Sequence, residues 1–339
     1  MGLALRCDGE RVTIDYLTGE LDHGLARART ILEHPAAAGL PEVLAKVHSD
    51  IGNIHVRRCR FREAAQAFRA SIDLADRPAL SQHRAVALYN MANAGIIEGH
   101  FGEALEIYGR ALLIFESLGD VPKAAQVHKS ISQTHLRLGN TTAARAAIER
   151  SLAMQRRVCN HRAIAACTLD LANILESEGR LAEAVDQVRA AAGWAAQHGI
   201  TDPYLWAVIH GTDAFMAVEQ GDHGRAEQSL RRLIALADAN AFTNHLIRGR
   251  CLLGLVRVQR GQRAEGLALI EQGLDQATAG GLLLEQLDGW ERKAEAYRLL
   301  GDVPGQLASL RGCVELSERM GAAADKYLAA IADLTASGA

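Results

Sequence analysis

The sequence predicts an all-α fold, an α-α superhelix (solenoid) built from helical hairpins. Glycine recurs along the 339 residues at steps of twenty or a multiple of twenty, with one slip of two residues. Glycine readily adopts the left-handed conformation that ends a helix, so this spacing indicates a helix, a stop and another helix. Hydrophobic residues make up 49% of the chain but aromatic residues only 4%, which favours closely stacked helices over a large β-sheet. The glycines of this series are Gly19, Gly39, Gly99, Gly119, Gly139, Gly179, Gly199, Gly221, Gly261, Gly281, Gly301 and Gly321.

Residues 85–120 show the pattern of one hairpin most completely. The first half carries apolar and small residues at i, i+3, i+4 and i+7 and ends at Gly99, as an amphipathic helix does. The second half carries small residues and one tyrosine on one face and ends at Gly119. The small residues let the two helices approach closely, and the larger ones fill the space between them. The residues are Leu88, Met91, Ala92 and Gly95 in the first helix, and Ala104, Tyr108, Ala111 and Leu112 in the second.

This pattern resembles the tetratricopeptide repeat, in which aromatic, Leu-Gly, Tyr, Gly, Ala, aromatic and Ala positions follow at fixed offsets. The unit here spans forty residues and is similar to the long-helix variant of the family. The resemblance implies about eight hairpins whose first helices line a concave, ligand-binding surface. In residues 85–120 the family positions are occupied by Leu88, Met91-Ala92, Gly95, Gly99, Ala104, Tyr108 and Ala111.

We expect eight such repeats followed by a C-terminal capping helix. The match is strongest from about residue 41 to 200, and Asp213, Lys293 and Gln306 depart from the family pattern after that. The first repeat also matches weakly, as terminal repeats often do, because one of their faces meets water. The predicted repeats are residues 1–40, 41–80, 81–120, 121–160, 161–200, 201–241, 242–281 and 282–321. The predicted cap, residues 322–339, is amphipathic through Tyr327, Leu328, Ile331 and Leu334.

Composition and spacing argue against several other classes of protein. A net charge of −3 gives no reason to expect direct contact with nucleic acid, which normally needs a basic face. The six cysteines lack C-x-x-C spacing, which argues against a disulfide framework or a zinc site. Neither a signal peptide nor a membrane span is predicted, so we expect a cytoplasmic location. We expect no cofactor and no enzyme activity, because the phosphate-binding glycine loops, the nucleophile elbow and the H-E-x-x-H motif are all missing from the sequence.

Two pairs of histidines have the spacing i, i+7, namely His48 with His55 and His128 with His135. These positions coincide with aromatic positions of the repeat, which favours a packing role for the imidazoles. Two helical turns separate the members of each pair by about 10.5 Å along the axis. One metal ion therefore cannot join a pair without other ligands.

The best candidate ligand-binding residues are carboxamides at one repeat position. With the first glycine stop of each repeat counted as position 15, the resemblance places positions 2, 5, 9, 12 and 13 on the concave surface. A carboxamide both donates and accepts, so it can pair with the C=O and N–H of one peptide unit. Helices about 10 Å apart would offer one amide for about every three residues of an extended chain. This arrangement resembles the asparagine ladders of tetratricopeptide proteins that bind extended peptides. Position 9 is occupied by Asn53, Asn93, Gln133 and Asn173 in repeats two to five.

Residues beside these amides are expected to give specificity. Four of them carry a positive balance that favours an acidic segment or a carboxylate. From repeat six onward position 9 becomes apolar, which suits a hydrophobic side chain or an amphipathic helix. The flanking residues are Arg57, Tyr89, Lys129 and Arg137, and the apolar residues are Phe215 and Leu255.

The same residues allow other interpretations. The asparagines could stabilise the array by bonding between adjacent helices, or the chain could be an oligomeric assembly scaffold that uses its convex or end surfaces as a homo-oligomer. The carboxylate clamp of chaperone-binding members fits poorly, because Asp170 stands where that clamp needs an asparagine. We favour a non-catalytic module that binds a protein or peptide partner in bacterial signalling or transcriptional regulation. A small-molecule ligand stays open as an alternative to the peptide.

Overall fold

A computed structural model describes residues 2–320 and 323–337. Within these ranges the chain forms seventeen α-helices and two short 3₁₀ helices, with no strand. The all-α prediction is therefore confirmed. The chain divides into two compact units, Met1–Val158 and Cys159–Ala339, which we call the N-unit and the C-unit.

The N-unit consists of four helical hairpins. The first helices of successive hairpins, α1, α3, α5 and α7, contact one another and form one layer. Each of them also packs against the second helix of its own hairpin. The bounds are α1 Gly2–Thr18, α2 Leu21–Glu33, α3 Pro41–Arg57, α4 Phe61–Leu74, α5 Ser81–Ile97, α6 Phe101–Ser117, α7 Val121–Arg137 and α8 Thr141–Arg157, with 3₁₀ helices at Pro35–Gly39 and Pro78–Leu80.

The C-unit consists of four further hairpins and a final helix. Its odd-numbered helices α9, α11, α13 and α15 again contact their neighbours in turn, and the last helix packs on α16. The bounds are α9 His161–Ser177, α10 Leu181–Gln197, α11 Pro203–Glu219, α12 His223–Ala239, α13 Thr243–Gln259, α14 Arg263–Ala279, α15 Leu283–Leu299, α16 Val303–Met320 and α17 Asp325–Ser337.

The helix-ending glycines adopt the predicted conformation at ten positions, with φ between 61° at Gly199 and 86° at Gly19. The turn after α6 shows how such a stop works. The amide of Gly119 donates to the carbonyl of Glu116, and the amide of Asp120 donates to that of Phe115, as in a Schellman motif. The Asp120 carboxylate then accepts from the amide of Lys123 and begins α7.

Three turns reach the same conformation without glycine, because Cys59, Cys159 and Ala241 have φ values of 54°, 50° and 54°. They occupy three of the four places where the twenty-residue series lacks a glycine, and the fourth, Ala79, lies in the 3₁₀ helix Pro78–Leu80. Gly39 is the opposite exception. It ends the 3₁₀ helix Pro35–Gly39 instead of forming a left-handed stop. The predicted stop at Gly321 lies outside the described residues.

The predicted core face of the third hairpin is buried. Leu88, Ala92, Ala104, Tyr108 and Ala111 are each at most 1% exposed and belong to one hydrophobic cluster. Small residues on both helices therefore surround one large ring, as expected.

Asp213, which stands where the family has leucine, is tolerated because it has polar partners. Its Oδ2 accepts a hydrogen bond from the hydroxyl of Ser229. Its Oδ1 lies 3.4 Å from Nε of Arg225. An unpartnered carboxylate at this position would destabilise the hairpin.

The final helix α17 caps the last hairpin through Tyr327, whose ring is buried with Ile331 and Leu334 packed beside it. The phenol donates to Oε1 of Glu291 at 2.6 Å. Leu328 was predicted on the same face, but it is 50% exposed. One residue after Tyr327 the helix has turned by about 100°, so Leu328 points away from the cluster. Residue 322, the predicted start of the cap, lies outside the described residues.

A bilayer crossing requires a long apolar helix, and none of the helices in residues 2–320 and 323–337 qualifies.

Candidate functional site

The N-unit contains a cleft of about 400 Å³ that is lined only by the odd-numbered helices. We call it the N-unit cleft. Because the second helices of the hairpins contribute nothing to its lining, the cleft lies on the layer of first helices. Its lining includes Thr13 of α1, Lys46, Asp50 and Asn53 of α3, Asn90 of α5 and Lys123 of α7.

One end of the N-unit cleft holds a partly buried polar group. Thr13 donates to Oδ2 of Asp50 at 2.6 Å, and Nζ of Lys46 lies 3.2 Å from the same oxygen. Burial raises the pKa of the Asp50 carboxyl, and the Lys46 charge opposes that shift. The group joins α1 to α3, and Nζ of Lys46 also lies 3.5 Å from Oε2 of Glu10 on α1.

Neutral side chains make the next connections between odd-numbered helices. Asn90 donates from Nδ2 to the hydroxyl of Ser49, at 3.4 Å. The hydroxyls of Tyr89 and Ser130 are 3.1 Å apart, and Gln126 donates to Tyr89 at 3.2 Å. One interpretation of the sequence was that the position 9 asparagines bond between adjacent helices. In this part of the N-unit such bonds are made instead by residues at positions 5 and 6 of the repeat and by Gln126 at position 2.

The position 9 amides of the N-unit have different contacts. Asn53 lines the cleft, and its carboxamide forms no hydrogen bond with any other residue in the described part of the chain. Asn93 accepts a hydrogen bond from the Tyr108 hydroxyl at 2.5 Å, within its own hairpin. Its NH₂ group is left for another acceptor. Gln133 is exposed on α7.

The residues predicted to flank the amides differ from one another in their contacts and exposure. Arg57 donates from Nη1 to the carbonyl of Tyr16 at 2.8 Å, and its guanidinium lies 4.6 Å from the Tyr16 ring centre. It is therefore engaged with α1. Tyr89 is half-buried, with its ring 5.8 Å from that of Tyr108. Lys129 is half-buried and Arg137 exposed, both on α7.

The C-unit contains a second cleft, of about 320 Å³, which we call the C-unit cleft. Its floor is apolar and includes Leu233 and Leu252, both less than 10% exposed. Two predicted residues, Asn173 of α9 and Phe215 of α11, belong to its lining. Its other lining residues include Val208, Thr212, His245, Arg248, Asp288 and Arg292.

Leu255 does not line this cleft, which corrects the prediction. It is 3% exposed and belongs to a core cluster. The same cluster contains Ala214 and Ala217 of α11 and Ala296 of α15. These small residues allow neighbouring helices to close over Leu255, so its side chain is part of the core.

Sequence reasoning missed position 6 of the repeat as a lining position. Asp50 and Asn90 occupy it in the N-unit cleft, and Thr212, Leu252 and Arg292 occupy it in the C-unit cleft. Positions 2, 6 and 9 are spaced i, i+4 and i+7, so they share one helical face. That spacing was available in the sequence.

Burial lowers the pKa of His48 and of His128, which fits a packing role for these two of the four histidines singled out in the sequence. No group of three or more histidine, cysteine, aspartate or glutamate side chains is placed to hold a metal ion within residues 2–320 and 323–337.

Residues 83–157, which include most of α5 and all of α6 to α8, match the family model of the tetratricopeptide repeat. No curated protein matches the chain. Solved structures are similar along its whole length. A Rap protein complexed with competence and sporulation factor has a TM-score of 0.62 at 12% identity, with 99% of both chains covered. NprR in complex with its cognate peptide NprX has a TM-score of 0.61 at 13% identity, with 97% of this chain and 98% of that chain covered.

A third similar structure is a signal transduction ATPase with a tetratricopeptide repeat sensor from Pyrococcus horikoshii. Its TM-score is 0.56 at 11% identity, and the alignment covers 92% of this chain and 52% of that chain. At such identities the likeness concerns the fold. Together with the family match to residues 83–157 and the helical hairpins of both units, it shows that the chain has a helical repeat fold like that of tetratricopeptide proteins.

Proposed function

We propose that the protein is a non-catalytic binding module that holds an extended peptide segment on its odd-numbered helices. The observation that carries this proposal is the carboxamide of Asn53. It lies in a cleft lined only by odd-numbered helices and has no hydrogen-bond partner among the described residues. A partly buried amide without a partner is a group that a ligand can satisfy.

The chemistry of the amides suits a peptide backbone. A free carboxamide can donate to a peptide C=O and accept from its N–H at once. Asn53 retains both functions, and Asn93 retains its NH₂ donors because Tyr108 uses only the amide oxygen. Position 9 amides on successive helices would therefore hold a chain with little regard to its side chains.

Flanking groups would add preference for particular peptides. Lys129 and Arg137 lie on α7, the helix that carries Gln133. Their positive charge favours acidic side chains in the bound segment. In the C-unit, Asn173 and Phe215 line the same cleft and combine an amide with an apolar surface.

The setting that we propose is bacterial signalling or transcriptional regulation, with the eight predicted forty-residue repeats as the binding scaffold. Two similar structures support a peptide ligand by analogy: one is a Rap protein with competence and sporulation factor, the other NprR with its cognate peptide. The proposal needs no cofactor, and its partner is a protein or a peptide.

Selection from a random-peptide library tests the proposal. The library is panned against the wild-type protein and against a variant with Asn53, Asn93 and Asn173 all changed to Ala. A matched control changes Gln228, an exposed amide on the even-numbered helix α12, to Ala. All three proteins must first show equal helical content and equal melting temperatures.

We expect enrichment on the wild type and on the Gln228→Ala control, and loss of enrichment on the triple variant. Equal enrichment on all three proteins would show that the amides do not bind the peptide. No enrichment on any of them would contradict peptide binding and favour an assembly scaffold.

A further inference from the structure

The lining of the C-unit cleft combines an apolar floor with two arginines. Val208, Phe215 and Leu252 supply apolar surface from α11 and α13. Arg248 of α13 and Arg292 of α15 lie at position 2 and position 6 of successive repeats and line the same cavity. This arrangement suits a ligand with an apolar part and a negative charge close together.

The charge of Arg248 is available to a ligand. Its side chain is exposed and forms no hydrogen bond or ion pair with the residues of ranges 2–320 and 323–337. Arg292 is only loosely paired, since its Nη2 lies 3.6 Å from Oδ1 of Asp288 on the same helix. The cleft lining therefore has two arginines and one carboxylate.

Two further titratable groups lie near Arg248. Glu285 is buried, and burial raises the pKa of its carboxyl while Arg248 acts in the opposite direction. Burial also lowers the pKa of His245, and the charge of Arg248 adds to that shift. His245 is therefore neutral at pH 7 and contributes no charge to the cleft.

We propose that the C-unit cleft binds an apolar carboxylate, namely the C-terminal residue of a peptide. The α-carboxylate pairs with Arg248 and Arg292, whose planar guanidinium groups suit bidentate contacts with carboxylates. The side chain of that residue packs on Phe215 and Leu252. This inference rests on the proposed function for the rest of the peptide, but the cleft has its own binding chemistry.

The size of the cleft limits the ligand. A volume of about 320 Å³ is near the lower end of small-molecule pockets, which span roughly 300–1,000 Å³. It has room for one large apolar residue with its carboxylate. The thiol of Cys251 in α13 is buried, and burial raises its pKa to about 12, so that thiol adds no charge.

The test uses N-acetyl-L-phenylalanine and its uncharged amide as probes, with binding measured by ligand-observed NMR. We expect the acid to bind wild-type protein about tenfold more tightly than the amide, because charge-assisted hydrogen bonds are the stronger class. Arg248→Gln should remove this preference. Arg311→Gln, at an exposed arginine of α16, is the matched control and should retain it. Equal binding of acid and amide, or a preference that survives Arg248→Gln, would overturn the inference.

A second comparison separates a peptide terminus from a free small acid. Acetyl-Ala-Ala-Ala-Phe as the free acid should bind more tightly than N-acetyl-L-phenylalanine, because its preceding residues can reach Asn173. Equal affinity of the two acids would contradict the assignment to a peptide terminus.

The outcome is independent of the library selection. Binding of the acid probe without any selected peptide would count against the proposed function and against the assignment to a peptide terminus, and would leave a site for a free apolar acid. Selected peptides that bind equally well with a C-terminal amide would count against this inference alone.

Discussion

The two clefts occupy the same positions of the repeat but differ in chemistry. Positions 2, 6 and 9 of the second repeat place Lys46, Asp50 and Asn53 in the N-unit cleft. In the sixth repeat, the same positions place Val208, Thr212 and Phe215 in the C-unit cleft. The first set is polar and largely satisfied by internal contacts, and the second has an apolar floor with arginines beside it.

The connections between helices differ as well. In the N-unit, the group of Thr13, Lys46 and Asp50 joins α1 to α3, and the neutral side chains of Ser49 and Asn90 join α3 to α5. In the C-unit, the buried carboxylate of Glu227 on α12 pairs with Arg257 and Arg260 on or just after α13. The repeat fixes which positions face a cleft, and the residues at those positions decide what each cleft can bind.

The largest expected effect on stability distinguishes a core residue of the C-unit from a residue that lines its cleft. Leu255→Ser should lower the free energy of unfolding by about 3 kcal/mol, because it leaves a cavity and buries a hydroxyl. Phe215→Ser, at a partly buried residue of the cleft, should cost about 1 kcal/mol. Urea denaturation of both variants measures the difference. Equal losses of stability in the two variants would contradict the placement of Leu255 in the core.

The next effect compares how much a charged and a neutral contact between helices contribute to stability. Glu227 is buried and also pairs with Arg231 at 2.6 Å, so Glu227→Gln leaves three arginines without their shared carboxylate. We expect a loss of about 2 kcal/mol, less than for a fully buried pair because two of the arginines are well exposed.

Ser49→Ala in the N-unit is the neutral counterpart of Glu227→Gln. It should cost only about 0.5 kcal/mol, because the hydrogen bond that it removes is neutral and long. The ranking is checked by urea denaturation at low ionic strength, and a reversed order would contradict the comparison.

Turns without glycine provide a third test that applies to both units. Ala241→Gly should raise stability by about 1 kcal/mol, because an alanine in the left-handed region carries a steric cost that glycine avoids. Gly139→Ala, at φ 72°, should lower stability by a similar amount. Thermal unfolding measures both variants, and unchanged melting temperatures would show that these turns are not strained.

The smallest effect concerns pH and the buried histidines of the two units. Burial lowers the pKa of His128 in the N-unit and of His245 in the C-unit below the usual value of 6.5. The unfolded chain therefore binds more protons between the folded pKa and 6.5, and stability rises with pH in that window. This contribution is complete above 6.5 and is lost as pH falls towards the folded pKa.

Asp50 and Glu285 contribute in the opposite direction. Burial raises the pKa of both carboxyls, so their contribution to stability falls as pH rises from the usual carboxyl pKa towards the folded one. The slope of stability against pH should therefore be compared between the wild type and His128→Gln. We expect a shallower rise below pH 6.5 in the variant. Identical slopes would show that His128 does not titrate differently in the folded state.

Much of the fold follows from local rules in the sequence. The glycine series predicts ten of the turns, since each such glycine has the positive φ that ends a helix. The buried face around Tyr108 follows from helical spacing. Cys59 and Ala241 escape a glycine-based rule because the turn imposes the left-handed conformation on whichever residue stands there.

The candidate site was only partly predictable. Asn53 and Asn173 are lining residues of the two clefts, at the repeat position that the resemblance to the family places on the concave surface. Leu255 was misplaced because alanines on two neighbouring helices bury it, and such contacts between distant segments are not visible in one repeat. Arg57 was predicted to contact the ligand. In the structure it donates to the carbonyl of Tyr16 in the first hairpin, and its guanidinium lies over the Tyr16 ring.

The most direct test of the central claim measures whether Asn53 contacts a peptide backbone. A selected peptide is compared with copies carrying an N-methyl group at single peptide bonds, and each is titrated calorimetrically into wild type, Asn53→Ala and Gln228→Ala. We expect one position where N-methylation weakens binding to wild type and to Gln228→Ala by about fivefold or more, in line with about 1 kcal/mol for one hydrogen bond. The same N-methyl group should have no effect on Asn53→Ala. If every N-methyl effect were equal in all three proteins, the two changes would be additive, and Asn53 would not hold the peptide backbone.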